Sequence, residues 1–135
     1  KGRVCYFDRW QSPWGETKIR INKIITKSAL VDQTGVGNPI VEELQRLNGN
    51  IQGFTFTSRS KQDLMEGLAA GIQEGLVKFP DGIIRQELDV FEYEYTKSGV
   101  KYSAPEGLHD DCVCALALAY RMFAAPKSEF RIRGL

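Results

Sequence analysis

Two adjacent aspartates, Asp110 and Asp111, stand directly before an apolar segment that covers residues 112–123. Because this segment is apolar on nearly every face, it predicts a helix that other elements must cover. Acidic side chains at a helix N-terminus are stabilised by its exposed N–H groups, by about 0.3–1 kcal/mol each. The pair can therefore be interpreted as a simple helix cap, or as two carboxylates that the core holds rigidly for chemistry.

A third carboxylate, Asp32, ends the short apolar run 29–32 and is followed by Gly35, Gly37 and Pro39. This pattern is typical of a central strand in an α/β sheet. Asp32 would then lie at the carboxyl end of the strand, where open α/β sheets place their chemistry. The alternative is an aspartate that binds only the backbone of its own turn. The glycine loop lacks the Lys-Ser/Thr pair of a P-loop, which disfavours nucleotide hydrolysis here.

Acids from a strand end and from a helix start can converge on one point. Carboxylates brought together repel one another, and crowding raises their pKa values unless a cation neutralises them. A hard divalent ion, bound through carboxylate oxygens and several waters, is the natural solution. Such ions, singly or in pairs about 4 Å apart, activate water and stabilise the leaving oxygen in phosphodiester cleavage.

Composition indicates one soluble globular domain over residues 1–135, with 42% hydrophobic and 26% charged residues. The longest apolar run is far below the roughly 20 residues that span a bilayer, and no signal peptide opens the chain. We therefore expect no membrane partner and a cytosolic location. Three cysteines and one histidine cannot complete a zinc set, so we expect reduced thiols. A net charge of +1 provides no global attraction to nucleic acid.

Hydrophobic periodicity predicts alternating strands and helices along the chain. The predicted strands are 3–10, 29–32 and 51–57, with an edge segment at 76–80 and a β-hairpin at 91–103; the predicted helices are 13–27, 39–47, 60–76, 83–89 and 112–123. This order predicts an α/β sheet covered by helices on both faces. The tail, 124–135, is mildly basic and loosely specified.

Two basic residues, Arg59 and Lys61, flank Ser60 at the predicted start of the long helix, which Asp63 helps to mark. Positive charge at a helix start opposes the helix dipole, so this placement indicates a nearby phosphate. The alternative is two solvated surface charges. In the hairpin, the glutamates between the aromatic residues would repel a nucleic-acid backbone, so we expect its aromatic face to pack against the protein.

Three motifs in this order resemble the nuclease domain of the large terminase subunit of tailed phages. They are Val-Asp-x-Thr-Gly-x-Gly-x-Pro at 31–39, Ser-x-Ser-Lys at 58–61, and His-Asp-Asp at 109–111 before an alanine-rich helix. The resemblance implies a ribonuclease H-like mixed sheet with helices on both faces and an added hairpin at 91–103. It also implies that Asp32 is the second catalytic acid of the family and that Asp110 with Asp111 supplies the last, and that these acids bind one or two Mg²⁺ or Mn²⁺ ions. Adjacent helical residues point about 100° apart, so both Asp110 and Asp111 can bind the metal directly only if Asp110 lies at or before the helix cap; otherwise one of them acts through water or orients a neighbour. Arg59, Lys61 and His109 are then candidates for contact with DNA.

The resemblance further implies a function and a set of partners. The function is metal-dependent cutting of concatemeric double-stranded DNA when packaging starts and ends, in the cytoplasm of the host cell. The partners are an ATPase motor domain that precedes the nuclease in the same polypeptide, the portal and the small terminase subunit. The first acid of the family lies on the opening strand of a meander, and this chain resembles the family only from the third strand onward. We therefore expect the first strands and that acid to be missing from these residues, because Asp8 precedes the wrong element.

Two other classes share some of these features. A resolvase or transposase core with a ribonuclease H-like fold would use the same carboxylates; a resolvase would cut only branched DNA. A non-catalytic docking module would use the acids as helix caps and the hairpin to bind a protein partner.

Overall fold

The computed structural model describes residues 2–25, 27–96, 99–103 and 110–124. Helices and strands alternate along most of this part of the chain, as the hydrophobic periodicity predicts. In chain order the elements are β1 (Gly2–Arg3), α1 (Trp14–Ile24), β2 (Ala29–Asp32), α2 (Gln33–Val36), α3 (Asn38–Leu47), β3 (Ile51–Phe54), α4 (Ser58–Gln73), β4 (Val77–Lys78), α5 (Ile83–Val90), β5 (Glu92–Thr96), β6 (Gly99–Ser103) and α6 (Asp111–Ala124).

The described strands pair two by two, and the pairing is mixed. Strand β1 is parallel to β4, β2 is parallel to β3, and β5 is antiparallel to β6. In the β2–β3 ladder Asp32 stands opposite Phe54, so the acid lies at the end of both paired strands. The parallel pairs connected through helices and the separate hairpin confirm the predicted mixed α/β class.

The core is built around α6. It contains five buried residues of α6, three of α4 and one of α5: Cys112, Val113, Leu116, Ala117, Leu118, Leu64, Met65, Leu68 and Ile84. Helix α6 packs on α4, α5 and β2. Helices α4 and α6 approach so closely that a Cβ on Gly71 would lie 2.5 Å from the ring of Tyr120. The prediction that other elements cover the apolar helix holds for one face only. Ala115, Ala119 and Phe123, on successive turns of α6, are exposed, Phe123 at 59%.

Several predicted boundaries differ from the structure: α1 covers Trp14–Ile24 rather than 13–27, β3 ends at Phe54 rather than at residue 57, and α4 ends at Gln73 rather than at residue 76. Two further differences have a clear physical reason. The strand predicted over 3–10 is limited to Gly2–Arg3, with one further bond from the Val4 N–H to the Lys78 carbonyl, because β4 offers only two residues for pairing. Helix α4 begins at Ser58, since Thr57 and Ser60 form a reciprocal capping box in which each side chain accepts the backbone N–H of the other. Ser60 is therefore the third helical residue.

The hairpin packs against the body of the domain through β6, which contacts α4. Phe91 stacks on Tyr102 with ring centres 6.2 Å apart, and both residues pack against the core. All three cysteines are free thiols, as predicted. Within the described ranges, every helix is too short or too polar to cross a membrane.

Candidate active site

Asp32 ends β2 and caps the short helix α2. Its Oδ1 atom accepts hydrogen bonds from the N–H of Thr34 at 2.9 Å and of Gly35 at 3.2 Å. The other oxygen, Oδ2, faces Gly35, where an added Cβ would lie only 3.2 Å from it. One oxygen thus binds the local turn, as the simpler interpretation predicts, and glycine keeps the space beside the other oxygen open.

The turn after Asp32 is attached to the next strand. The Thr34 hydroxyl oxygen accepts a hydrogen bond from the Phe56 N–H at 2.7 Å. Phe56 follows β3 and contacts Phe54 edge-on, with ring centres 5.1 Å apart. Thr34 therefore links the turn after Asp32 to the segment that leads into α4.

Asp110 occupies the N-cap position of α6, since its carbonyl accepts the N–H of Cys114 at 2.9 Å. A carboxylate in this position normally accepts the N–H of the second or third helical residue. In this helix those residues are Cys112 and Val113. Both of their N–H groups donate instead to Oε2 of Glu87, at 2.8 Å and 3.2 Å. The start of α6 is therefore capped by a side chain from α5.

The Asp110 carboxylate faces the first turn of α4. Its Oδ2 atom accepts a hydrogen bond from Lys61 Nζ at 3.2 Å, and the two side chains are 28% and 25% exposed. The Lys61 ammonium also lies 5.9 Å from the centre of the Phe56 ring. Of the predicted basic residues, Lys61 is thus beside the acids.

Asp111 is the most exposed of the three aspartates, with 73% of its side chain accessible. Its Oδ2 lies 3.8 Å from Nη2 of Arg9. The other guanidinium nitrogen, Nη1, donates to Oε1 of Glu87 at 3.3 Å. Arg9 therefore connects Asp111 with the residue that caps the helix.

The three aspartates line one open cleft of about 1510 Å³ together with Lys61 and Cys114. Burial, together with the negative charges of Asp110, Asp32 and Asp111, raises the pKa of the Cys114 thiol to about 12, and Lys61 partly offsets these effects. The structure thus brings together the strand-end acid and the helix-start acids around one thiol.

A comparison with protein-family models matches residues 15–123 to the terminase RNaseH-like domain. The chain belongs to this family. The resemblance inferred from the three motifs and the ribonuclease H-like fold class are therefore confirmed.

Solved structures of terminase nucleases are similar to this terminase domain. Two are the large terminase nuclease from thermophilic phage G20c, with bound cobalt and with bound magnesium, at 33% and 32% identity; each covers 81% of this chain with a TM-score of 0.71. A third is the large terminase nuclease domain of Thermus phage P74-26, at 28% identity over 83% of this chain, also with a TM-score of 0.71. The matched region spans 62%, 61% and 61% of those three chains. A comparison with curated proteins found no match.

The donor set of this terminase domain fits a hard, partly hydrated divalent ion. Among the described residues, no group of three or more His, Cys, Asp or Glu side chains is arranged to hold a metal. Mg²⁺ does not require such a cage, because it keeps several waters and is usually bound by one or two carboxylates together with substrate phosphates. Asp32 Oδ2 and the Asp110 carboxylate are oxygen donors of this kind.

Asp8 also lines the cleft, but it has partners of its own. It accepts hydrogen bonds from Arg20, from the Arg9 N–H and from the Tyr6 hydroxyl. Burial raises the pKa of Asp8, but these hydrogen bonds outweigh burial and hold the pKa below its usual value. Asp8 therefore works as the partner of the Arg20 cation on α1.

The structure describes one of the two remaining predicted DNA contacts. Arg59 is exposed in the first turn of α4, two residues before Lys61. His109 lies outside the described residues, as does the tail after Ala124.

Sequence reasoning missed Glu87 and Arg9. A signal for Glu87 was present, since Ile84, Leu88 and Phe91 mark the core-facing stripe of α5 and Glu87 lies within that stripe. A charged residue in such a stripe needs a buried partner. No comparable pattern marks Arg9.

Proposed function

We propose that this terminase domain is a divalent-metal-dependent endodeoxyribonuclease. It would cut concatemeric double-stranded viral DNA at the start and the end of packaging. The observation that carries the proposal concerns Asp110. Glu87 caps α6 in place of the Asp110 carboxylate, and that carboxylate lines the same cleft as Asp32. Membership in the terminase RNaseH-like family and the cobalt and magnesium in two similar nucleases support the same conclusion.

Asp32, Asp110 and Asp111 are the proposed metal ligands, for one or two Mg²⁺ or Mn²⁺ ions. When bound, such an ion activates water and neutralises the charge that develops on a phosphodiester. Asp32 would bind through Oδ2, since Oδ1 is engaged by the turn. Asp111 is accessible enough to act directly or through water.

Lys61, Arg59 and His109 are the proposed DNA contacts. Lys61 Nζ lies 3.2 Å from Oδ2 of Asp110. A phosphate of the scissile strand would bind beside it. Arg59, exposed in the same turn, would bind a neighbouring phosphate and position the duplex without reading its sequence.

The wider assignment follows the terminase family. We propose residues 1–135 as one nuclease domain, with the hairpin 91–103 as an auxiliary element and 124–135 as a tail. Its partners would be double-stranded DNA, an ATPase motor domain in the same polypeptide, the portal and the small terminase subunit, in the cytoplasm of the host cell.

A cleavage assay on the complete protein tests the function. Linear and supercoiled duplex DNA would be incubated with Mg²⁺, Mn²⁺ or EDTA, with wild-type protein and with Asp32→Asn, Asp110→Asn and Asp111→Asn. Loss of an outer-shell partner typically costs 10–100-fold, so we expect losses of at least about 100-fold for Asp32→Asn and Asp110→Asn. Asparagine preserves the shape of each side chain and an oxygen for the α2 cap, which limits structural damage.

Asp89→Asn is the matched control, because Asp89 is exposed on α5 and does not line the cleft. It should cut as the wild type does. Wild-type, metal-dependent cutting by both Asp32→Asn and Asp110→Asn would refute the site. Cutting of four-way junctions without cutting of duplex would favour a resolvase-type enzyme, and the absence of any metal-dependent cutting would favour a docking module.

A further inference from the structure

Glu87 is a buried charged residue, with only 7% of its surface exposed. A carboxylate removed from water is costly unless it is paired and hydrogen-bonded. Here Oε2 accepts the N–H groups of Cys112 and Val113, and Oε1 accepts a hydrogen bond from Arg9. Both oxygens of Glu87 are therefore used.

The two N–H groups that Glu87 accepts are the ones that a local cap would accept. Glu87 precedes Cys112 by 25 residues, so the start of α6 is joined to α5 by a tertiary contact. As a result, the Asp110 carboxylate is not needed for capping and can turn toward Lys61. The same contact joins the first turn of α6, directly after Asp110 and Asp111, to α5.

Arg9 adds a second connection. Its guanidinium lies between Oε1 of Glu87, at 3.3 Å, and Oδ2 of Asp111, at 3.8 Å. The Asp111 side chain is exposed, and Arg9 is its described charged partner. Glu87 thus acts on Asp111 in two ways, through the helix start and through the arginine.

We propose that Glu87 is a positioning residue of the nuclease site, and that it sets the placement of Asp110 and Asp111 through the α6 cap and through Arg9. The inference rests on the proposed function, since it assumes that these aspartates bind metal. It differs from a general packing role for α5 because it predicts a change in metal affinity that an equally destabilising packing variant does not show.

The test compares Glu87→Gln with Ile84→Val in the complete protein. Glutamine keeps the length of the side chain and one oxygen acceptor but removes the charge. Ile84 is 3% exposed on the same helix, so Ile84→Val loosens α5 without touching the cap. The readouts are direct Mn²⁺ binding by calorimetry, the Mn²⁺ concentration that gives half-maximal DNA cleavage, the melting temperature, and hydrogen exchange of the Cys112 and Val113 amides.

We expect Glu87→Gln to weaken Mn²⁺ binding and raise the half-maximal Mn²⁺ concentration about tenfold or more, as typical for loss of a residue that orients metal ligands. The rate of DNA cleavage at saturating Mn²⁺ should fall by a smaller factor than the Mn²⁺ affinity. The amides of Cys112 and Val113 should exchange faster. Ile84→Val should leave the Mn²⁺ dependence at the wild-type value.

Two results would overturn the inference. One is faster amide exchange in Glu87→Gln with wild-type Mn²⁺ affinity; the other is an equal shift in Ile84→Val for an equal loss of melting temperature. If Glu87→Gln does not fold, Arg9→Gln replaces it, since Arg9 is 39% exposed and the cap remains. A shift of several fold in the same direction would then support the inference, and wild-type Mn²⁺ dependence would refute it.

The wild type and Asp32→Asn separate this inference from the proposed function. If the wild type binds Mn²⁺ and cuts DNA, Asp32→Asn does neither, and Glu87→Gln behaves as the wild type, only the positioning role fails. If the wild type neither binds Mn²⁺ nor cuts DNA, both proposals fail.

Discussion

The helices α2 and α6 both have an aspartate at the N-cap, and the two aspartates are used differently. Asp32 binds the N–H groups of its own turn, two and three residues ahead. Asp110 has Lys61 as its partner, 49 residues away, while Glu87 binds the N–H groups of its helix. At α2 only one carboxylate oxygen is left outside the cap, whereas at α6 the Glu87 side chain supplies the cap and the Asp110 carboxylate binds Lys61 instead.

This comparison also separates stability from function. At α2 one residue both stabilises the turn and faces the cleft, so its two roles can be separated only by choosing the substitution. At α6 the two roles belong to different residues, Glu87 and Asp110. Each of the following predictions tests one side of this contrast.

The largest effect is expected at the cap of α6. Glu87→Ala removes a charged acceptor from two N–H groups and from Arg9, so the free energy of unfolding should fall by about 2–3 kcal/mol. Asp110→Ala removes only a partly exposed ion pair and should cost less than about 1 kcal/mol. Urea unfolding measures both, with Asp89→Ala as the exposed control on α5. A larger loss for Asp110→Ala would mean that Asp110 is the cap after all.

A smaller effect is expected at high pH. The pKa of Cys114 is raised from an ordinary 9.0 to about 12, so the fold favours the protonated thiol. The unfolded chain loses this proton first, and the resulting stability is present below pH 9 and is lost as the pH rises from 9 toward 12. Unfolding in urea at pH 8, 9 and 10 under reducing conditions should show this decline, and Cys114→Ala should reduce it.

The same measurement compares the two acids. Asp110 raises the pKa of Cys114 more than Asp32 does. Asp110→Asn should therefore weaken the alkaline decline more than Asp32→Asn. A larger change for Asp32→Asn than for Asp110→Asn would show that the charge of Asp32, at the end of β2, acts on Cys114 more strongly than the charge of Asp110.

The smallest effect concerns the cap of α2. Asp32→Ala should lower the free energy of unfolding by about 1 kcal/mol because the turn loses its acceptor. Serine is an equally good N-cap, so Asp32→Ser should recover most of that stability. Cleavage should be lost in both variants, because neither carries the carboxylate. Recovery of cleavage together with stability in Asp32→Ser would show that Asp32 serves only the turn.

Much of the fold could be predicted because its signals are local. The apolar residues Ile40, Val41, Leu44 and Leu47 predict the inward face of α3; Val41 and Leu44 are buried, whereas Leu47, the last residue of the helix, is 52% exposed. The spacing of Leu64 and Leu68 predicts the buried face of α4. The aspartate that ends the run 29–32 predicts its own turn, since its partners follow within three residues.

The parts that could not be predicted depend on distant partners. Strand β1 stops early because its length is set by β4, more than 70 residues later. The pairing of Lys61 with Asp110 and the bond from Glu87 to the start of α6 join elements that no local pattern connects. The type and order of the acids therefore follow from the sequence. Only the structure shows that Glu87 caps α6 while the Asp110 carboxylate faces the cleft.

The cap that Glu87 provides has a consequence for how this domain can evolve. The hairpin and the segment after it lie in the chain between Glu87 and the first turn of α6. Because the contact between α5 and α6 closes this loop at its base, the loop need not hold Asp110 and Asp111 in place. Its length and surface can therefore change without displacing the acids.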